Sequence, residues 1–169
     1  LISQSISKNN LIEETDVREM LGLADRSKII SLFKEVLSGN EKEALKYLRE
    51  LINDGIDAKN FLNDILEVLY LFSRRINLGP IEKDMTISET EVKMVDEYSK
   101  NIDMQDIGLF WQLTIKTIDD LRIVGNENLT LEMYIMQLVH LKNIETKKEI
   151  FHNNIENNED PKQKSLVGE

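Results

Sequence analysis

Apolar positions recur along most of this chain at three- and four-residue steps, and isolated glycines interrupt them. That spacing stacks side chains on one face of a helix, so the pattern predicts a succession of helices. The first falls in LIEETDVREMLG, with Val17, Met20 and Leu21 as its apolar face. Asp16 and Glu19 have capping-box spacing there, and Gly22 ends it. The second begins near Asp25, carries Ile29, Ile30, Leu32, Phe33, Val36 and Leu37, and stops at Gly39. Asn40, three residues ahead of Glu43, opens a third with Ala44, Leu45, Leu48, Leu51 and Ile52 facing inward and Gly55 at its close. The turn between these two is so short that they form a helical hairpin. Asp57 caps a longer helix striped by Phe61, Ile65, Val68, Leu69, Phe72 and Ile76, which Gly79 and Pro80 terminate.

A polar connection follows. Ser88 and Glu91 then repeat the capping-box spacing ahead of Val92, Val95 and Tyr98. Asp103 caps the next helix, whose apolar surface is Ile107, Phe110, Trp111, Leu113, Thr114, Ile118 and Leu121, up to Gly125. Asn126 caps NENLTLEMYIMQLVHL, which is apolar on almost every side. Leu129, Met133 and Met136 make one stripe; Leu131, Ile135, Leu138 and Val139 make another. A surface helix needs only one. This helix, running to about His152, is therefore expected at the centre of a bundle or against another chain. The helix after Asp57 is the second of that kind. The remaining NNIENNEDPKQKSLVGE is polar and unpatterned and reads as a tail. No internal repeat is evident.

Pro80 and Pro161 are the only prolines, and β-branched alternation is scarce. The expected fold is all-α: a bundle of about five to six helices over 25–150, a short helical piece of a different unit over 1–24, and a polar tail over 151–169. A formal net charge of -10 disfavours contact with a phosphate backbone, so direct nucleic-acid binding is not expected. No apolar run is long enough to cross a bilayer. The absence of cysteine removes disulfides and thiolate ligands and fits a reducing cytosol.

Catalytic chemistry finds little support. The glycines are isolated and no GxxxxGK[ST] phosphate loop is present. His140 and His152 are the only histidines, neither completes HExxH, and the paired Glu-x-x-His segments of a di-iron bundle are absent. His140, within an apolar helix, reads as a packing residue. The neighbours Glu13-Glu14 and Asp119-Asp120 point to different sides of their helices and read as solvated surface.

Several fragments, in order and spacing, resemble the bacterial DNA polymerase III gamma/tau subunit, the ATPase subunit of the sliding-clamp loader. Leu1 to Ile6 resembles the family's LLDQAI run, with Ser3 and Ser5 as substitutions. Asp16 to Asp25 resembles the V..MLG..D passage that leads into the helical collar. Gly39-Asn40, Ala44, Leu48 and Gly55-Ile56-Asp57 resemble GD...AL..L..L...G.D. Leu121-Arg122 with Asn126 to Glu132 resembles LR.S.NPRLALE, with Glu127 replacing a proline and Asn128 an arginine. The likeness covers about residues 1–142. It implies that 1–24 is the end of the lid domain of an AAA+ motor and that 25–150 is the collar that joins subunits. It further implies a cytoplasmic, non-catalytic fragment of an ATPase subunit, with ATP, Mg and zinc sites expected only in a motor domain ahead of Leu1. The partners implied are other gamma/tau copies and the delta and delta-prime subunits.

On that reading the determinants of assembly lie on the two very apolar helices: Phe61, Ile65, Leu69 and Phe72 on one, Met133 and Met136 on the other. Asn126 caps the latter. Arg74 and Arg75 close the helix before Gly79, either against its negative end or in a salt bridge to a neighbour. Trp111 is either a core residue, sharing a side with Ile107 and Thr114, or an interface anchor. Glu132 is a member of a structural ion pair with Arg122, a solvated residue, or an intersubunit contact. Two other classes stay open: a helical adaptor or regulatory domain whose groove takes a partner helix, and an acid-rich helical metalloenzyme.

Overall fold

The computed structural model describes residues 25–167. The short helix expected within 11–22, and with it the whole of 1–24, lies outside them. Helix α1 (Arg26–Leu37) starts where Asp25 Oδ1 accepts from Ser27 N at 3.0 Å. It ends at Ser38, and Gly39 takes φ 73° to turn the chain back. Helix α2 (Glu41–Asn53) follows. Asn40 does not cap it through its side chain, contrary to the capping-box expectation. The hairpin is so tight that the Asn40 amide reaches back to Glu35 Oε2 of α1 at 3.0 Å instead.

Helix α3 (Ala58–Leu78) is capped by Asp57, whose Oδ2 accepts from Asn60 N at 3.0 Å. The loop that follows is held by Asp84, whose Oδ1 accepts from Thr86 N, Thr86 Oγ1 and Ile87 N at 2.7, 2.6 and 3.2 Å. Ile81 and Ile87 of this loop are buried. Helix α4 (Glu89–Tyr98) begins with the expected box of Ser88 and Glu91. A 3-10 turn (Ser99–Asn101) leads into α5 (Met104–Asp120), which begins with a second box, Asp103 with Asp106. Asn126 Oδ1 accepts from Leu129 N at 3.1 Å at the head of α6 (Glu127–Val167). Among the described residues every regular element is helical, six α-helices and one 3-10 turn, so the fold is an all-α bundle of the expected kind.

The core forms where α1, α3 and α5 meet. Phe33 of α1 stacks tilted on Phe72 of α3, centroids 5.7 Å apart, and edge-on to Phe110 of α5 at 5.8 Å. Around these rings Ile29, Ile30, Phe61, Leu62, Ile65, Val68 and Leu69 are fully buried. Helix α2 lies on α1 and α6, α4 lies on α1, and α6 closes the bundle against α2 and α5.

The sequence reading placed a polar tail after residue 150, but α6 continues as one helix of 41 residues. Its side chains from Thr146 to Asn157 are all exposed. The absence of an apolar face against the core was the ground for a tail. A helix already nucleated inside a bundle needs no such face to propagate, because each further residue other than Pro161 adds a hydrogen bond. Glycine, the usual stop, does not recur between Gly125 and Gly168.

Candidate subunit interface

Helix α6 buries one side and leaves the other open. Leu131, Tyr134, Ile135, Leu138 and Val139 are sealed against the bundle. The Tyr134 hydroxyl lies 2.7 Å from Thr114 Oγ1 of α5, and Thr114 also donates to the Phe110 carbonyl at 2.6 Å. Burial pushes the Tyr134 phenol well above its ordinary pKa, so it stays protonated. Further along, Lys142 Nζ pairs with the buried Asp106 Oδ2 at 2.8 Å. These five buried α6 residues, the hydroxyl pair and the ion pair together set the rotation of α6 about its axis. The opposite side presents Leu129, 59% exposed, and Met133, 51% exposed. Met133, Met136, Gln137, His140 and Leu141 join Leu113 of α5 and Glu41 of α2 to line an open groove of about 520 Å³. Its floor is apolar and its two methionines are unbranched and adaptable, a composition suited to a helix or another apolar ridge.

Met133, exposed, and Met136, half-buried, both line this groove. Other residues are placed differently. Phe61, Ile65, Leu69 and Phe72 are fully buried in the chain's own core and have no surface for a neighbour. The large apolar side chains of α3 that stay open are Tyr70, Ile76 and Leu78. Glu132 does form an ion pair, but with Arg49 of α2 at 3.0 Å. Arg122 is exposed in the turn after α5 and is not the cation that pairs with Glu132. Arg75 pairs with Asp96 of α4, within the chain. Arg74 is half-buried beside Asp84 and contributes to holding that carboxyl below its ordinary pKa, after the hydrogen bonds from Thr86 and Ile87.

Trp111 sits at the rim, 36% exposed, beyond its buried neighbours Ile107, Phe110 and Thr114. It shares that rim with Met104 and Ile115, seven and four residues removed along one stripe of α5 and both partly exposed. Their side of α5 is not the groove side, where Leu113 points. His140, expected to pack, is exposed and borders the groove. It follows the Leu129–Met133–Met136 stripe, not the buried one.

Two charged clusters escaped the sequence reading. Arg26, the first residue of α1, has its guanidinium buried in a two-point pair with Glu91, Nε to Oε1 and Nη2 to Oε2, both 3.2 Å. It also reaches Glu67 of α3 at 3.4 Å and the Thr86 carbonyl. Lys142 with Asp106 is the second. In both, the carboxylate is also the third helical residue of a capping box, and a cation from a distant helix grips it. The boxes were visible in the sequence; the cations were not, because nothing local marks them.

Among the described residues no helix is long and apolar enough to cross a membrane, and no group of three His, Asp or Glu is placed to hold a metal ion. No curated protein matches the chain. The family model for DNA polymerase III subunits gamma and tau domain III matches residues 12–153. Those residues are most of the chain and include the whole groove, so the protein belongs to the gamma/tau clamp-loader subunit family and carries its non-catalytic, subunit-assembling collar domain.

Proposed function

We propose that this collar holds gamma/tau copies and the related delta and delta-prime subunits at fixed relative positions in the cytoplasm, and that neighbours dock across the open face of α6. The observation that carries the reading is the asymmetry of that helix. Its inner side is sealed, yet Leu129, Met133, Met136 and Leu141 remain available around a groove of about 520 Å³. Withdrawing such a face from water is the usual driving force of assembly, with charged rim residues such as Glu41 setting specificity. A motor that works between neighbouring subunits needs such a fixed frame, and a bundle locked by buried ion pairs supplies it.

A free-standing adaptor with a helix-binding groove would look similar at α6. Family membership favours the collar. Light scattering over a concentration series, with and without gamma/tau, delta and delta-prime subunits, separates the two. The collar reading expects association that grows with concentration or with those partners. A strict monomer that ignores all of them overturns it. Met133→Asp should weaken the association by about tenfold or more, as expected for a charge placed in an interface centre.

A further inference from the structure

Two thioethers line the groove on α6, and the chain holds no thiol. Where a protein has cysteines, a thiolate is the group that peroxides attack first. Without one, the methionine sulfurs are among the side chains most open to two-electron oxidation. The chain has six methionines. Met20 lies outside the described residues. Met94 is half-buried and packs against the core. Met104 has its sulfur engaged, accepting from the Asn77 amide at 3.3 Å. Met85 is 96% exposed in the turn held by Asp84, between Asp84 and Thr86. Met133 is exposed and Met136 half-buried, and both face the apolar groove.

An oxygen added at Met85 alters a turn that is already in water. At Met133 it alters the surface that docks. Resting on the assembly reading above, we propose that Met133, with Met136 three residues on, is a modification site. Peroxides oxidise it in the unassembled chain, and the sulfoxide opposes docking. The Met133 sulfur attacks one peroxide oxygen with a lone pair. The O–O bond breaks as the S–O bond forms, and the departing hydroxide takes up a proton and leaves as water. Sulfur is oxidised by two electrons and the peroxide is reduced by two. The product carries a polar, strongly accepting oxygen among Leu113, Leu141 and the second thioether. While the groove is open, water satisfies that oxygen. Under an apolar ridge the water is lost, and affinity falls by about tenfold. The core is spared, because Leu131, Ile135 and Leu138 seal the other side of α6. Sulfoxide reductases restore the thioether, so the block is reversible.

The test uses the full chain, labelled with a heavy isotope, and hydrogen peroxide. The chain is oxidised to partial conversion, freed of peroxide and mixed with untreated gamma/tau, delta and delta-prime subunits. Size-exclusion chromatography separates associated from free chain, and peptide mass spectrometry reads each sulfoxide in the labelled peptides of both fractions. Met133 sulfoxide should be enriched about tenfold in the free fraction. Met85 sulfoxide should divide evenly, far-ultraviolet circular dichroism should not change, and sulfoxide reductase should return free chain to the associated fraction. In the reverse order, assembly before peroxide should shield Met133 and leave Met85 reactive. Association that proceeds with Met133 sulfoxide spread evenly overturns the proposal and leaves the collar standing. So does a loss of helix on oxidation, which would put the effect in the fold. Met133 oxidised as fast in the assembly as in the free chain defeats docking at the groove, and this site with it. A chain that joins none of the subunits, oxidised or not, defeats the assembly reading itself.

Discussion

Replacing Arg26 by Met should be among the most damaging single changes in the bundle. The guanidinium is 8% exposed and the Glu91 side chain 7%, so neither charge has water to fall back on. The substitution keeps much of the stem's bulk but strands the Glu91 carboxylate, which retains only the Ser88 N–H at 3.0 Å. It also strips a donor from the Thr86 carbonyl and a partner from Glu67, the latter half in solvent and a small part of the loss. Removing one member of a buried pair costs about 3–5 kcal/mol. For a chain of 169 residues, about 2–4 °C per kcal/mol places the fall in Tm at about 6–20 °C. Urea unfolding followed by far-ultraviolet circular dichroism measures the free-energy loss, and a thermal scan the fall in Tm. The Arg26→Met/Glu91→Leu double variant should recover most of the stability, because no charge is then left buried, less about 1 kcal/mol for the lost α4 cap. A single variant that loses under about 1 kcal/mol would refute the reasoning, since that is the scale of a surface pair. So would a double variant no better than the single.

Lys142→Met should strand Asp106 in the same manner, with a smaller cost because the lysine side chain is 17% exposed; thermal unfolding of single and double variants (with Asp106→Leu) checks it. Thr114→Val leaves the buried Tyr134 hydroxyl without its partner and should cost about 1–3 kcal/mol, read by urea unfolding. Asp84 has its carboxyl held below the ordinary value of 3.8, first by the Thr86 side chain and then by the Thr86 and Ile87 amides. Its ionised form therefore favours the folded loop above that value, and the contribution is lost as pH falls through the depressed folded pKa. A stability profile from pH 5 to 2 should be flatter in Asp84→Asn than in the wild type.

Much of the bundle was legible because helix boundaries are local chemistry. Asp57, Ser88 with Glu91, Asp103 and Asn126 cap where the sequence says, since each needs only an oxygen two or three residues from a free amide. The buried stripes of α1 and α3 follow from periodicity alone. What periodicity does not give is the width of the buried arc. Trp111 and His140 lie just outside it, and one step around a helix separates core from rim. Partner choice is equally non-local: Glu132 needed a cation, but whether α2 or the α5 turn supplied it depended on how the helices pack. Arg26 reads in sequence as one surface cation among many, because its burial comes from α3, α4 and the loop between them. The far half of α6 was misread for another reason. A search for core-facing stripes is blind to a helix that leaves the core.

The hydrogen bond between Tyr134 and Thr114 works as an index mark on a shaft. Each residue step around α6 is about 100°, so a rotation small enough to pass unnoticed in the packing of leucines would still pull that oxygen out of reach. Because the shaft is unbroken, the bearing fixed there is delivered unchanged to Phe151 and Ile155, about 25–30 Å farther along. A hydroxyl shut inside one protein thus decides which way its outermost side chains point when another protein arrives.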